Sequence, residues 1–332
     1  MKLVFFSFKH RYRKKELNNF LATRIYGKYF ILNLGGPFKH FVAKILIFLK
    51  MGKAISCDGR PTVSDKSKGI NFWLRGTTLN IPSDLKKLNN NFVHIFNPLF
   101  EENKVFQIYP IKIKKAQIQS DLKIIYISRV NIETSFEEKI IWDKYKNKLI
   151  ENFSLIDNKD FWEKIFQKDS DKYKNFNLYK KIKLLLRFEI IKNLKKIFSK
   201  KLILVGDDWK SLSFDTHPSN YYMKQINKLY NGNICLDLGS IEGSMSLYSR
   251  PNRIIESGGL IIQSIQWDSK EIWKNLHNKI LFNNIPELIS LIEKLLNNRK
   301  YCSALLQKIS ENFRYSEKSI EKSLDKIFNI LN

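Results

Sequence analysis

A chain of 332 residues with 43% hydrophobic and 13% aromatic residues has enough apolar side chain for two ordinary domains, which excludes a disordered protein. Its 58 Lys and Arg against 32 Asp and Glu leave a net charge of +26, but the lysines run along the whole chain beside abundant Asn and Ile, as A+T-rich coding produces, so the charge does not mark a nucleic-acid-binding tail and fits a weak attraction to acidic lipid headgroups. The cysteines, Cys57, Cys235 and Cys302, are far apart, which excludes a disulfide framework and zinc-ligand spacing and fits a reducing cytoplasm.

In chain order, Met1–Phe8 reads as a strand. The stretch MKLVFFSFKHRYRKK places its apolar run before its charges, the reverse of a signal peptide. Tyr29–Leu34 (YFILNL) reads as a second strand, followed by Gly35–Gly36. Phe38–Met51 (FKHFVAKILIFLKM) is too short to cross a membrane and is interrupted by Lys44. It predicts a buried helix, in preference to one lying on a membrane surface, because a helix apolar on most faces is usually core. Strand, glycine pair and helix together make a Rossmann-type unit. Ile55–Arg60 and Ile70–Arg75 read as strand ends leading into turns, and Ile111–Gln119 as an inter-domain connector. These readings assign residues 1–115 to an N-terminal Rossmann-like domain and 120–332 to a better-defined C-terminal one.

The second half contains four short apolar runs typical of buried parallel strands: Leu122–Ile127, Leu202–Val205, Ile234–Leu238 and Leu260–Ser264. Helical patterns over Phe136–Phe153, Tyr179–Ile197 and Lys224–Tyr230 separate them, which implies βαβ units in a doubly wound sheet. Pro286–Asn298, Arg299–Asn312 and Glu317–Leu331 predict an all-helical end, the first opened by Pro286.

In an open α/β sheet, ligands bind beyond the carboxyl ends of the strands, so the informative residues follow each apolar run. Arg129 follows the first; Gly206 and Trp209 follow the second. Glu242 and Gly243 follow the third, ahead of YSRPNRIIESGG with Arg250, Asn252, Arg253, Glu256, Gly258 and Gly259. A diphosphate needs backbone N–H groups at a helix N-terminus and one or two fixed cations, and these residues provide both types. Glu256 continues the face of Arg250 and Arg253, and a carboxylate there suits ribose hydroxyls. Each also has a plainer reading: Arg253 and Glu256 as a surface ion pair, Gly258–Gly259 as a helix terminator, Trp209 as core. Asp207–Asp208 is adjacent rather than spaced as a metal-binding pair, and no metal is expected.

The series LILVGDDW, ICLDLGSIEGSMSLYSRPNRIIESGGLIIQS and LFNNIPELISLIEKLLNNRKYCSALLQKISENFRYS resembles the C-terminal half of bacterial GT-B glycosyltransferases of the group 1 and CgeB-like type. The resemblance covers about residues 120–320, with the helical stretch before Leu202 matching poorly. It implies two Rossmann-like domains with a deep cleft between them. The nucleotide-sugar donor would sit on the C-terminal domain and the acceptor on the N-terminal one. By resemblance, Glu256 matches the ribose-binding carboxylate. Arg253 matches the diphosphate cation if the Arg-x-x-Glu spacing is aligned, Arg250 if the glycine pair is. Glutamates seven residues apart, common in related transferases, are absent, since Arg250 stands eight positions after Glu242.

The expectation is a metal-independent, hexosyltransferase-like glycosyltransferase of bacterial surface polysaccharide biosynthesis. It would move a sugar to a glycan, lipid-linked or small-molecule acceptor, with the nucleotide-sugar as co-substrate and no other cofactor. Asp58 and His94 are the candidate bases for the acceptor hydroxyl, although His94 in FVHIF also reads as a core histidine. The expected setting is the cytoplasm, with peripheral contact at the inner, anionic face of a membrane and no specific nucleic acid. The competing classes are a basic nucleic-acid-binding protein and a degenerate transferase fold serving as a scaffold.

Overall fold

The computed structural model describes residues 2–8, 24–26, 28–34, 41–42, 45–46, 48–49, 51, 53–57, 71–75, 91–93, 97–99, 109–110, 113–128, 130–166, 171–212, 214, 216–217 and 223–329. The first sheet holds β1 (Lys2–Phe8), β2 (Arg24–Tyr26), β3 (Tyr29–Leu34), β4 (Lys53–Cys57), β5 (Asn71–Arg75) and β6 (Asn91–Val93), in the order β2-β3-β1-β4-β5-β6. Strand β2 runs antiparallel to β3 and every other pairing is parallel; Val4 lies between Ile31 and Lys53. With β1 between β3 and β4, the parallel strands follow the doubly wound order of flavodoxin-like sheets.

The second sheet contains β7 (Ile124–Ile127), β8 (Leu202–Val205), β9 (Thr216–His217), β10 (Ile234–Asp237), β11 (Leu260–Ser264) and β12 (Leu281–Phe282). All pairings are parallel, in the order β12-β11-β10-β7-β8-β9. This is the strand order of a Rossmann sheet, and it reverses direction between β7 and β10. The sequence explains the burial. Ile124, Ile125, Cys235, Leu236, Ile261 and Ile262 are each at most 1% exposed, as runs covered by helices on both faces must be. His217, adjacent to Pro218, pairs with Val205 in β9 rather than opening a helix.

The covering helices are α1 (Phe136–Glu151), α2 (Lys159–Glu163), α3 (Lys172–Phe198), α4 (Met223–Tyr230), α5 (Ser249–Glu256), α6 (Ser269–Trp273) and α7 (His277–Ile280). The chain ends in α8 (Ile285–Asn297), α9 (Arg299–Asn312) and α10 (Ser316–Asn329). Local chemistry sets several starts. Ser135 and Glu138 form a reciprocal capping box on α1. Asn284 caps α8 ahead of Pro286, and Asn298 caps α9. Helix α10 reaches back to the first sheet. Its Asp325 accepts a hydrogen bond from Tyr29 Oη at 2.5 Å and pairs with Lys28 at 2.7 Å.

The expected buried helix at Phe38–Met51 is corrected. Positions 41, 42, 45, 46 and 48 are helical, but Phe41 is 61% and Phe48 78% exposed. No helix among the described residues is long and apolar enough to cross a membrane.

Candidate functional site

Strand β10 ends at Asp237, which is fully buried beside the point where strand order reverses. Its carboxylate organises the carboxyl edge. Oδ1 accepts from Tyr248 Oη at 2.6 Å and from Arg250 Nη1 at 3.4 Å. Oδ2 accepts from Gln263 Nε2 at 2.8 Å and from the Gly239 amide at 3.2 Å. Arg250 therefore stands in the first turn of α5 with one of its five N–H donors directed at Asp237 and 22% of its side chain exposed. The N-cap of α5, Tyr248, makes no side-chain cap; Pro251 has no N–H and the Asn252 amide donates to Tyr248 O at 3.1 Å, so the end of the helix presents the amides of Ser249 and Arg250. A permanent cation next to a helix N-terminus is a setting for an anion.

Residues 238–248 form the loop over this edge, and buried side chains fasten it. Arg187 donates to the carbonyl oxygen of Gly239, and Lys183 Nζ donates to that of Gly243 at 2.7 Å. Ser244 Oγ donates to Asp157 Oδ2 at 2.5 Å, and the Ser246 amide donates to Asp268 Oδ1 at 2.6 Å. Gly239 has φ +75°, and a Cβ there would sit 2.7 Å from Gln266 Oε1, so the turn requires glycine. Behind the loop, Asp157, Lys183 and Arg187 border a cavity of about 30 Å³, room for about one water. Burial pushes the Asp157 carboxyl up and the Lys183 ammonium down from their ordinary values, each partly opposed by the other's charge.

Asp157, Lys183, Arg187, Asp237 and Tyr248 are not among the residues expected from the sequence. A signal existed for three of them: Lys183 and Arg187 stand four apart on the stripe of α3 that also carries Ile182, Leu186 and Ile190, where a basic residue is out of place. Asp237 likewise interrupts the apolar run ICLDL.

The expected site residues divide. Arg250, Glu242 and Gly243 come together at the carboxyl edge. Glu242 is half-buried, its amide bound to Ser240 Oγ at 3.2 Å, and its carbonyl oxygen accepts from Asn97 Nδ2 at 2.6 Å. Gly206 is also at this edge, against the carbonyl oxygen of Ser128. Trp209 is corrected to core: it is fully buried and donates Nε1–H to Ser128 O at 2.9 Å. Asn252 is buried within α5, and Arg253 is half-buried on the same helix, close enough to influence the Tyr230 hydroxyl.

Glu256, Gly258 and Gly259 are corrected to the opposite edge. Helix α5 runs back along the sheet, so its last turn arrives where β11 begins, level with Ile234 rather than Asp237. That is about 10 Å from the carboxyl edge, three strand steps of about 3.3 Å. The carbonyl oxygen of Glu256 accepts from the Lys114 amide at 3.1 Å, and a Cβ on Gly258 would lie 2.5 Å from that of Ala116. Gly258 seats the 113–119 connector, and Gly259 packs against Cys235 and Ile254. Arg129, Asp58 and His94 lie outside the described residues.

An open cavity of about 1060 Å³ also lies at the amino edge, between the connector and α9, with Lys114, Lys115, Arg299 and Lys300 on its walls. Its size does not outweigh its position, because sheets of this order take ligands at the carboxyl edge. Among the described residues, no three His, Cys, Asp or Glu side chains gather closely enough to hold a metal ion. In comparisons with known proteins, no family model matches the chain and no curated protein matches it.

Proposed function

We propose that the chain is a glycosyltransferase that binds a nucleotide-sugar at the carboxyl edge of the second sheet and transfers its sugar to an acceptor held on the side of the first sheet. The observation that carries this reading is the hydrogen bond from Asn97 to Glu242 O. Asn97 stands four residues beyond the end of β6, and Glu242 five beyond the end of β10. The contact brings the carboxyl end of β6 to the loop after β10, and it supports the juxtaposition a two-substrate transfer needs.

In this reading Arg250 and the amino end of α5 hold the diphosphate. As the glycosidic bond to the donor breaks, negative charge grows on the departing nucleoside diphosphate, and a guanidinium already fixed by Asp237 stabilises it without reorganising. Glu242, the half-exposed carboxylate of this edge, takes the ribose role that the sequence assigned to Glu256. Strand β7 is followed by Ser128–Asn131 without a glycine-rich turn, which favours a sugar nucleotide over a dinucleotide.

A thermal-shift panel of UDP, GDP and sugar nucleotides tests the proposal. Stabilisation by one of them, lost in Arg250→Ala and kept in Glu256→Gln, is the expected result. No shift with any nucleotide on a folded sample, or a shift that Arg250→Ala leaves intact, removes the site.

A further inference from the structure

Phe41, Ile45, Phe48 and Leu49 fall at i, i+4, i+7 and i+8 and so share one side of a helix. The Leu49 amide donates to Ile45 O at 2.9 Å and the Met51 amide to Leu46 O at 2.8 Å, which is helical bonding and its continuation. All four side chains face solvent, at 61, 43, 78 and 55% exposure, and Met51 follows at 60%. Val42 and Leu46, on another side, are half-buried. Single exposed apolar side chains are ordinary, but a continuous face with two phenyl rings marks an interaction surface.

Charge selects its occupant. Lys44, at i+3 from Phe41, borders the face, and the residues before Asp58 carry twelve Lys and Arg against Glu16 alone. A second copy docked two-fold on this face would bring its lysines against these, which opposes self-association. An anionic bilayer meets both features: rings enter the boundary between headgroups and acyl chains while ammonium groups reach phosphates. The run is shorter than the about 20 apolar residues of a span, so the helix would lie in the interfacial plane.

We propose that the face formed by Phe41, Ile45, Phe48 and Leu49 seats this protein on an anionic lipid bilayer. The proposal is independent of the transferase reading, and its test needs no activity. Full-length protein is floated with vesicles of phosphatidylcholine alone and of phosphatidylcholine mixed with phosphatidylglycerol. Capture by the mixed vesicles, weak capture by the neutral ones, and loss at high salt are expected. Phe41→Ser with Phe48→Ser lowers capture by about tenfold or more while the unfolding temperature holds, because both rings are already in water. Lys44→Gln keeps the face and lowers capture by the mixed vesicles by about fivefold. Equal capture by both vesicle types, none by either, or full capture of the Phe variant overturns the proposal. So does a dimer in lipid-free buffer that the Phe variant converts to monomer, which would assign the face to a second copy.

Discussion

At the carboxyl edge of the second sheet, Asp237, Tyr248 and Arg250 are held together by direct hydrogen bonds, and Lys183 and Arg187 grip the loop above them from below. At the amino edge, Glu256 and Gly258 meet the 113–119 connector through backbone and close packing. The two edges draw on the same residue types, and residues 250–258 of one short segment supply both. One edge concentrates buried charge around a half-buried guanidinium; the other closes the domain. Chemical type therefore does not identify a site in this segment. Position along an eight-residue helix does, because eight residues at 1.5 Å each carry the chain about 12 Å, from one end of the strands to the other.

The sharpest way to break this comparison is at Lys183. Lys183→Ala removes the buried ammonium that holds Gly243 O at 2.7 Å and the cation facing the half-buried Asp157, and should cost about 2–3 kcal/mol in chemical denaturation. Adding Asp157→Asn should recover part of that loss, a coupling that a double-mutant cycle reads directly. A loss below about 1 kcal/mol would show that the loop does not depend on Lys183.

Next come the two glycines. Gly258→Ala forces a positive φ and a clash with Ala116, so it should lower stability by about 1–3 kcal/mol while nucleotide affinity is kept. Gly239→Ala should lower stability by a similar amount and weaken nucleotide binding as well. Equal effects of both substitutions on binding would erase the distinction between the edges.

A smaller effect is expected from Arg250→Ala, which should weaken nucleotide binding about tenfold or more, near 1.4 kcal/mol, and cost less stability than Lys183→Ala because Asp237 keeps its bonds from Tyr248, Gln263 and the Gly239 amide. Glu256→Gln should leave that affinity at the wild-type level, as titration calorimetry can establish.

The smallest effect is a pH slope. Burial lowers the Lys183 pKa in the folded state, so the unfolded chain binds more protons between that lowered value and the ordinary lysine value of 10.5. Stability from this group therefore rises with pH across that window. Asp157, raised by burial, works in the opposite sense: its contribution falls as pH rises from the ordinary 3.8 through the folded value. Lys183→Met should remove the alkaline rise from a series of denaturation curves.

Much of the second sheet was legible from sequence. The runs Leu202–Val205 and Leu260–Ser264 matched their strands to the residue, and α9 matched over Arg299–Asn312. Strands buried on both faces must be continuously apolar, and Asn, Ser and Pro mark helix starts by local bonds, so both signals survive without tertiary context. Strands β9 and β12, of two residues each, carry too little pattern to read. The apolar content of Phe38–Met51 was also legible. The direction it faces was not, because periodicity gives the relative placement of side chains around a helix and not what stands opposite them.

For the candidate site, the sequence by itself determined that a glycine-containing loop and an arginine-bearing helix follow the third strand of a parallel sheet. Only the tertiary structure decided which of those residues share an edge. The strand order placed Asp237 at the reversal point, the run of α5 carried Glu256 away from Arg250, and α3, distant in sequence, delivered Lys183 and Arg187 beneath the loop. These are long-range pairings, and residue type at a fixed spacing carries no information about them.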